Sequence, residues 1–317
     1  ACGSSSGGDE VILRTPPAPA AGPPPEAPPD GQAQDPPDPD DGSAEPSEPE
    51  EPEAPEEPAG PRRVDVGPGD DVQVAANGLR PGDTLRLAAG VHAVATAVPA
   101  EGLSGLRVSV SGTADAPIVI EGAPDGATVL DQGRDGGRAG GPVAGIVLDC
   151  ASHVVVRDLE IRNVDLAGVT TALAGCASEG IVLERLHVHD VFGKGYVAAV
   201  RIANARDVTV RHNRLRRIAD GGPAGAPPLP GPASVAAVRV ERNTIEDADL
   251  GVSVLGSGTA AMQGLVIEGN AFRRVDSGVR ARLEDGAAAS LRDVRIAGNL
   301  FEDVASAVVL ALGGATI

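Results

Sequence analysis

The 317-residue chain has no tryptophan, one tyrosine (Tyr196), three phenylalanines (Phe192, Phe272, Phe301) and a single lysine, Lys194. Conventional globular cores draw much of their contact area from aromatic rings. Here valine, isoleucine, leucine and alanine must do that work, which suits a narrow, repetitive interior where small side chains stack on copies of themselves. No run of 18 apolar residues occurs, so no segment reads as a bilayer-crossing helix. No G-x-S-x-G elbow is present, so a serine nucleophile is unsupported.

Charge and proline are unevenly spread. Residues 1–61 hold 17 of the 28 prolines and 15 of the 45 acidic residues, with Arg14 as the only base. That stretch carries −14 of the net −19, leaving −5 for the other 256 residues. The low pI therefore describes the N-terminal segment. No compensating basic stripe is legible, which argues against a nucleic-acid partner. Residues 15–61 have almost nothing bulky and apolar to bury, and their like charges repel, so they are expected to be a disordered tether. Repeated proline favours polyproline II, giving a reach on the order of 100 Å.

Residues 1–14 begin Ala1-Cys2-Gly3-Ser4-Ser5-Ser6. A cysteine followed by Gly/Ser and a long spacer resembles a bacterial lipoprotein after signal-peptide removal. The resemblance implies lipid on Cys2, a membrane partner, and export to the cell envelope or surface. The alternative reading is a free cysteine in a flexible terminus.

From residue 64 onward an internal repeat governs the reading. Leu159, Leu186, Asn213, Asn243, Asn270 and Asn299 form a reference column with spacings of 27, 27, 30, 27 and 29. Two residues later the column is Ile161, Val188, Leu215, Ile245, Phe272, Phe301. The columns three and five residues earlier are likewise wholly apolar. Period-2 alternation makes these strands, and the recurrence makes each unit one turn of a solenoid. Asn213, Asn243, Asn270 and Asn299 should stack as a structural ladder at a bend, ~4.8 Å apart. Gly168, Gly195, Gly222, Gly251 and Gly278, eight or nine residues past the column, are expected at turns needing positive φ.

The repeated V-x-V-x-x-N-x-I/F pattern followed by G-V resembles the PbH1-type repeats of the pectate-lyase-like superfamily, and covers residues 146–312. Pro81-Gly82-Asp83-Thr84-Leu85-Arg86-Leu87 and Ser111-Gly112-Thr113-Ala114-Asp115-Ala116-Pro117-Ile118 resemble the opening coils of the chondroitinase B and alginate lyase group. The resemblance implies an all-β fold over 64–317, a right-handed parallel β-helix. It also implies an acidic-polysaccharide partner, cleavage by β-elimination and, as cofactor, calcium held by acidic residues. Residues 131–144 and 219–234 break the period and are expected to loop outward, either rimming a binding face or as neutral surface loops. No polar cap follows Val308–Ile317, so the last coil is expected to continue into further chain or to pair with another molecule.

Columns also place polar residues side by side. Glu160, His187, His189, Asp190, Lys194 and Arg214 converge on three adjacent coils. A uronate lyase needs a cation to neutralise the sugar carboxylate and a base to take the C5 proton. Arg214 suits the first role and His187 or Lys194 the second, with Glu160, His189 and Asp190 as binding residues. Alternating charge on a solvated face explains the same residues without chemistry. The H-x-H pair also raises a metal site with Glu160 as third ligand. Cys150 and Cys176, 26 residues apart, should lie on neighbouring rungs as a disulfide or as two stacked thiols. Two functions of different class stand: a polysaccharide lyase-like protein, or a non-catalytic envelope scaffold or adhesin.

Overall fold

The computed structural model describes residues 60–94, 96–98, 103–124, 126–133, 143–171, 176–193, 197–220, 235–256, 261–283 and 290–312. Cys2, the tether and Lys194 lie outside them, as do Gly195, Gly222 and the tips of both expected loops. The strands stack in parallel into three sheets: a ten-stranded sheet running from Arg63–Val66 to Arg295–Ala297, an eight-stranded sheet and a five-stranded sheet. The one antiparallel pair among the described strands is Thr96–Val98 with Leu103–Val108. Every coil returns to the ten-stranded sheet, and the coils between Thr84 and Arg201 also contribute to both other sheets, so the architecture is a parallel β-helix.

Register follows the sequence columns. Val182, Leu183 and Glu184 pair with Thr209, Val210 and Arg211, which pair with Arg239, Val240 and Glu241. Inward positions such as Ile120, Val156, Leu183 and Ile267 are buried almost completely. The outward positions one residue later carry charge, and coil-to-coil pairs such as Arg211–Glu184 and Arg157–Glu121 lie across the rungs.

The corners come from left-handed backbone at three fixed positions. The residues six before, one before and four after the reference column have φ between 51° and 70°, 51° and 67°, and 50° and 56°. The second set includes Asp158, Arg185, His212 and Arg242, and the third Asn163, Asp190, Arg217 and Asp247. Asn, Asp and His tolerate this region better than most residues, but Arg occupies it at a cost. Outward projection at the corners lets opposite charges alternate along the axis: Arg185 on Asp158, Arg217 on Asp190, Arg274 on Asp247.

Gly168, Gly251 and Gly278 do not have positive φ, contrary to the turn expectation. They sit inside strands Ala167–Thr171, Thr244–Gly256 and Ala271–Leu283. Their role is steric. A Cβ on Gly251 would lie 2.5 Å from the Phe272 ring, and one on Gly278 would lie 2.4 Å from Phe301. The interior is so narrow that a ring from one coil reaches the glycine backbone of the coil before it.

The loop boundaries also shift inward. Asp131 ends a strand, Val143 and Ala144 begin one, and Ala219 and Asp220 belong to strand Arg214–Asp220.

The asparagines form a continuous buried ladder. Asn213 donates its backbone N–H and its amide to Asn243 Oδ1, both at 2.9 Å. Asn243 does the same to Asn270, and Asn270 to Asn299. Each amide also donates to the carbonyl three residues before the column in the preceding coil, as Asn243 does to Val210. Cys150 and Cys176 are joined as a disulfide, with Cα atoms 5.6 Å apart.

One short helix, Val72–Asn77, is present among the described residues and was not expected from the repeat. Asp71 caps it by accepting from the Val74 N–H, and Val72 and Ala76 face inward. Just beyond it, buried Asp83 accepts from Arg62 Nη2 at 2.5 Å, the Arg62 backbone N–H at 2.8 Å and the Arg80 N–H at 2.9 Å. These bonds, led by the Arg62 side chain, hold the carboxyl down at about 2. A depressed folded pKa contributes stability that is complete above the unfolded value near ~3.9 and fades as pH falls toward the folded one. Asp83→Ala should therefore cost roughly 1.5–3 kcal/mol at neutral pH. Urea unfolding followed from neutral pH to about pH 3 should also show a shallower acid decline in the variant.

Candidate functional site on the eight-stranded sheet

The strands Glu160–Val164, His187–Gly193 and Arg214–Asp220 lie side by side in the eight-stranded sheet. Glu160 is in register with His187, and His187 with Arg214. Arg162, His189 and Arg216 form the next outward row. Alternation along a strand sends the intervening Ile161, Val188 and Leu215 into the core.

Four of the expected residues meet directly. His189 is buried, with Nε2 3.1 Å from Glu160 Oε1 and Nδ1 2.6 Å from Asp190 Oδ2. His187 Nδ1 lies 3.9 Å from Glu160 Oε2, and the two imidazole rings are 4.4 Å apart between centroids. Asp190 is gripped by Arg217 through both carboxylate oxygens, which holds it well below the usual carboxylate range, with His189 adding to the effect. Burial first, and then the neighbouring His189 and Arg216, pull the His187 imidazole down to about 4. Among the described residues, His187 Nε2 has no hydrogen-bond partner, and neither has Arg216 Nε.

Arg214 is adjacent on the next rung but turns the other way. Its guanidinium makes one 3.3 Å contact with Glu246 Oε2 and is 55% exposed, so most of its donors face solvent. Lys194 lies outside the described residues.

Arg216, Arg217, Glu246 and Phe192 were not singled out from sequence. The first three continue columns already in use, one rung further along. Phe192 is the one phenylalanine among the described residues that points out of this sheet, 46% exposed. Its signal was available: it follows inward Val191 on the same strand, where alternation turns it outward.

Calcium does not fit this donor set. It takes six to eight oxygens, whereas the cluster offers one carboxylate and two imidazoles. Asp131, Asp190 and Glu246 nearby are engaged by Arg162, Arg217 and Arg214.

No protein-family model matches the sequence, and no curated protein matches it. Solved structures do. A lacto-N-biosidase from Eubacterium ramulus aligns over 73% of this chain and 52% of its own, at 16% identity and a TM-score of 0.46. This chain thus spans about half of that protein's length. An alginate lyase from Paenibacillus sp. aligns over 78% and 99%, at 16% identity and a TM-score of 0.41. An endo-xylogalacturonan hydrolase from Aspergillus tubingensis aligns over 79% and 77%, at 12% identity and a TM-score of 0.55. At these identities the likeness is one of fold, and the fold is that of a right-handed parallel β-helix.

Proposed function

We propose that the protein is an envelope-anchored β-helix that binds acidic polysaccharide on its eight-stranded sheet and cleaves it by β-elimination. The observation that carries this reading is the in-register pair of His187 and Arg214 on adjacent rungs. Rungs are ~4.8 Å apart, so side chains on two adjacent rungs can reach one uronate, whose C5 bears both the carboxylate and the proton to be removed. Arg214, loosely held and half exposed, would neutralise the carboxylate. His187 would take the C5 proton; the electron pair left behind forms the C4–C5 double bond as the C4–oxygen bond breaks, and the leaving oxygen is protonated from solvent. Phe192 offers a ring face for sugar stacking. The fold likeness to a protein named as a xylogalacturonan hydrolase supports a carbohydrate ligand. Lipid on Cys2 would hold the domain at the envelope.

Incubation with alginate, polygalacturonate, chondroitin and hyaluronan tests this, with ultraviolet absorbance reporting unsaturated products. At least one polymer should yield product. Arg214→Ala should weaken binding of that polymer by roughly 10- to 100-fold, the loss of one charge-assisted contact.

A second reading, a non-catalytic scaffold or adhesin, is favoured by the ladders of paired charge along the corners. Retained polymer binding with no product across the panel would favour it.

A further inference from the structure

We infer that Glu160, His187 and His189 form a binding site for one divalent transition-metal ion of the zinc class. Each offers a ligand atom, and these atoms lie within 4.8 Å of one another. Tetrahedral zinc holds nitrogen and oxygen donors at about 2.0–2.1 Å, which sets them roughly 3.3 Å apart around the ion. The 3.1 Å approach of His189 Nε2 to Glu160 and the 3.9 Å approach of His187 Nδ1 already bracket that spacing. Small rotations of two side chains would admit the ion. The strands that carry the donors are paired in register, so the backbone need not move.

The surrounding residues complete a pattern that metal-bound histidines use. Asp190 Oδ2 accepts from His189 Nδ1 at 2.6 Å, which fixes the tautomer that leaves the Nε2 lone pair facing Glu160. Asp190 is fixed in turn by Arg217, whose Nη2 also lies 3.0 Å from His189 Nδ1. A carboxylate–histidine–metal relay of this kind raises ligand basicity and orients the ring. Two imidazoles and one carboxylate are a borderline donor set that selects zinc-like ions over calcium or magnesium. Three protein ligands leave a fourth position, open to water or an anionic group.

One feature opposes binding. Arg216 sits beside His189 on the next rung and makes no ion pair among the described residues, whereas Arg162 and Arg217 are each neutralised by a carboxylate. Removing its charge should therefore tighten the site.

The inference is independent of the polysaccharide reading. A bound ion and a His187 acting as base exclude one another, so zinc binding is measured without polymer, and cleavage with a chelator present. The test uses the full chain with Cys2→Ser, to remove the thiol in the N-terminal segment, and the Cys150–Cys176 disulfide intact. Zinc titrated by calorimetry should saturate one site per chain, and cobalt(II) in its place should give the visible bands of tetrahedral coordination. His187→Ala, whose side chain is partly exposed and tolerant of truncation, and Glu160→Gln should each abolish saturable binding. Asp190→Asn should weaken it by roughly 10–100-fold, Arg216→Gln should strengthen it, and His212→Ala should leave it unchanged. Absence of saturable binding in the parent protein, or binding that survives both His187→Ala and Glu160→Gln, would overturn the assignment.

Discussion

Asn243→Ala lowers the stability of the β-helix by roughly 3–5 kcal/mol, because several buried polar groups each lose a partner at once. Asn243 is 1% exposed and stands in the middle of the ladder. Alanine removes the acceptor for the Asn213 backbone N–H and for one amide hydrogen of Asn213, and the donor for the Val210 carbonyl. Water cannot replace them in a packed rung. The Asn243 backbone N–H keeps its own acceptor, Asn270 Oδ1, and only the amide bond to that oxygen is lost there, so the break falls mainly on the interface with the preceding coil. Asn243→Asp keeps the acceptor but loses both amide donations and buries a charge, and should be no better at neutral pH. Leu159 and Leu186 stand in the same column, so leucine has room there without supplying the hydrogen bonds. Asn243→Leu should therefore recover part of the loss by filling the space. Equilibrium urea unfolding of the three variants orders them: leucine least damaging, alanine and aspartate most.

The second large effect is at Phe272, which is fully buried and stacked on Phe301 with ring centroids 5.0 Å apart and planes 5° from parallel. Phe272→Ala should cost roughly 3–5 kcal/mol, the loss of transfer energy plus the cavity left in a stiff interior. Its test is stronger as a pair. Gly251 faces the ring so closely that a Cβ would meet Phe272 at 2.5 Å and the Gly278 carbonyl oxygen at 2.4 Å. Gly251→Ala alone should destabilise by about 1–3 kcal/mol through overpacking. Combined with Phe272→Leu, which withdraws the ring edge, the penalty of the added methyl should shrink, giving a coupling energy beyond ~0.5 kcal/mol. Strict additivity would show that the carbonyl contact alone decides the cost.

These two residues also show how far the sequence could be read. Asn243 and Phe272 were legible because each repeats at 27–30 residues in a column of like partners, and a parallel solenoid turns such a column into direct contact. The glycines eight or nine places on were legible as a column, but their cause was misassigned. Periodicity marks that a position is constrained without saying whether φ or space constrains it. The true positive-φ corners were hidden because Arg185, Arg217 and Arg242 are not residues that advertise left-handed backbone. The helix at Val72–Asn77 has a local signal, Asp71 before it and Gly78 after it, that lies outside the repeat.

The site divides in the same way. Rows containing Glu160, His187 and Arg214 followed from column arithmetic, since strands in register leave no freedom in which residues are neighbours. What the arithmetic could not give was side-chain direction. Arg214 reaches toward Glu246 two residues along and one coil on, whereas His189 turns back to Glu160. Those choices depend on which opposite charge stands within reach of a long side chain, a competition that involves three coils at once.

Everything at the site rests on the register of the eight-stranded sheet, and cross-linking reads that register directly. In a Cys2→Ser background, cysteines at Arg214 and Thr244, paired residues on adjacent strands, should oxidise readily, because neighbouring rungs are ~4.8 Å apart and a disulfide spans about 4.4–6.8 Å between Cα atoms. Cysteines at Arg214 and Glu246, two residues out of register and about 8 Å apart, should not. Peptide mapping that finds the 214–244 bond and no 214–246 bond bears out the stacked coils. Preferential 214–246 bonding, or neither bond, would contradict them.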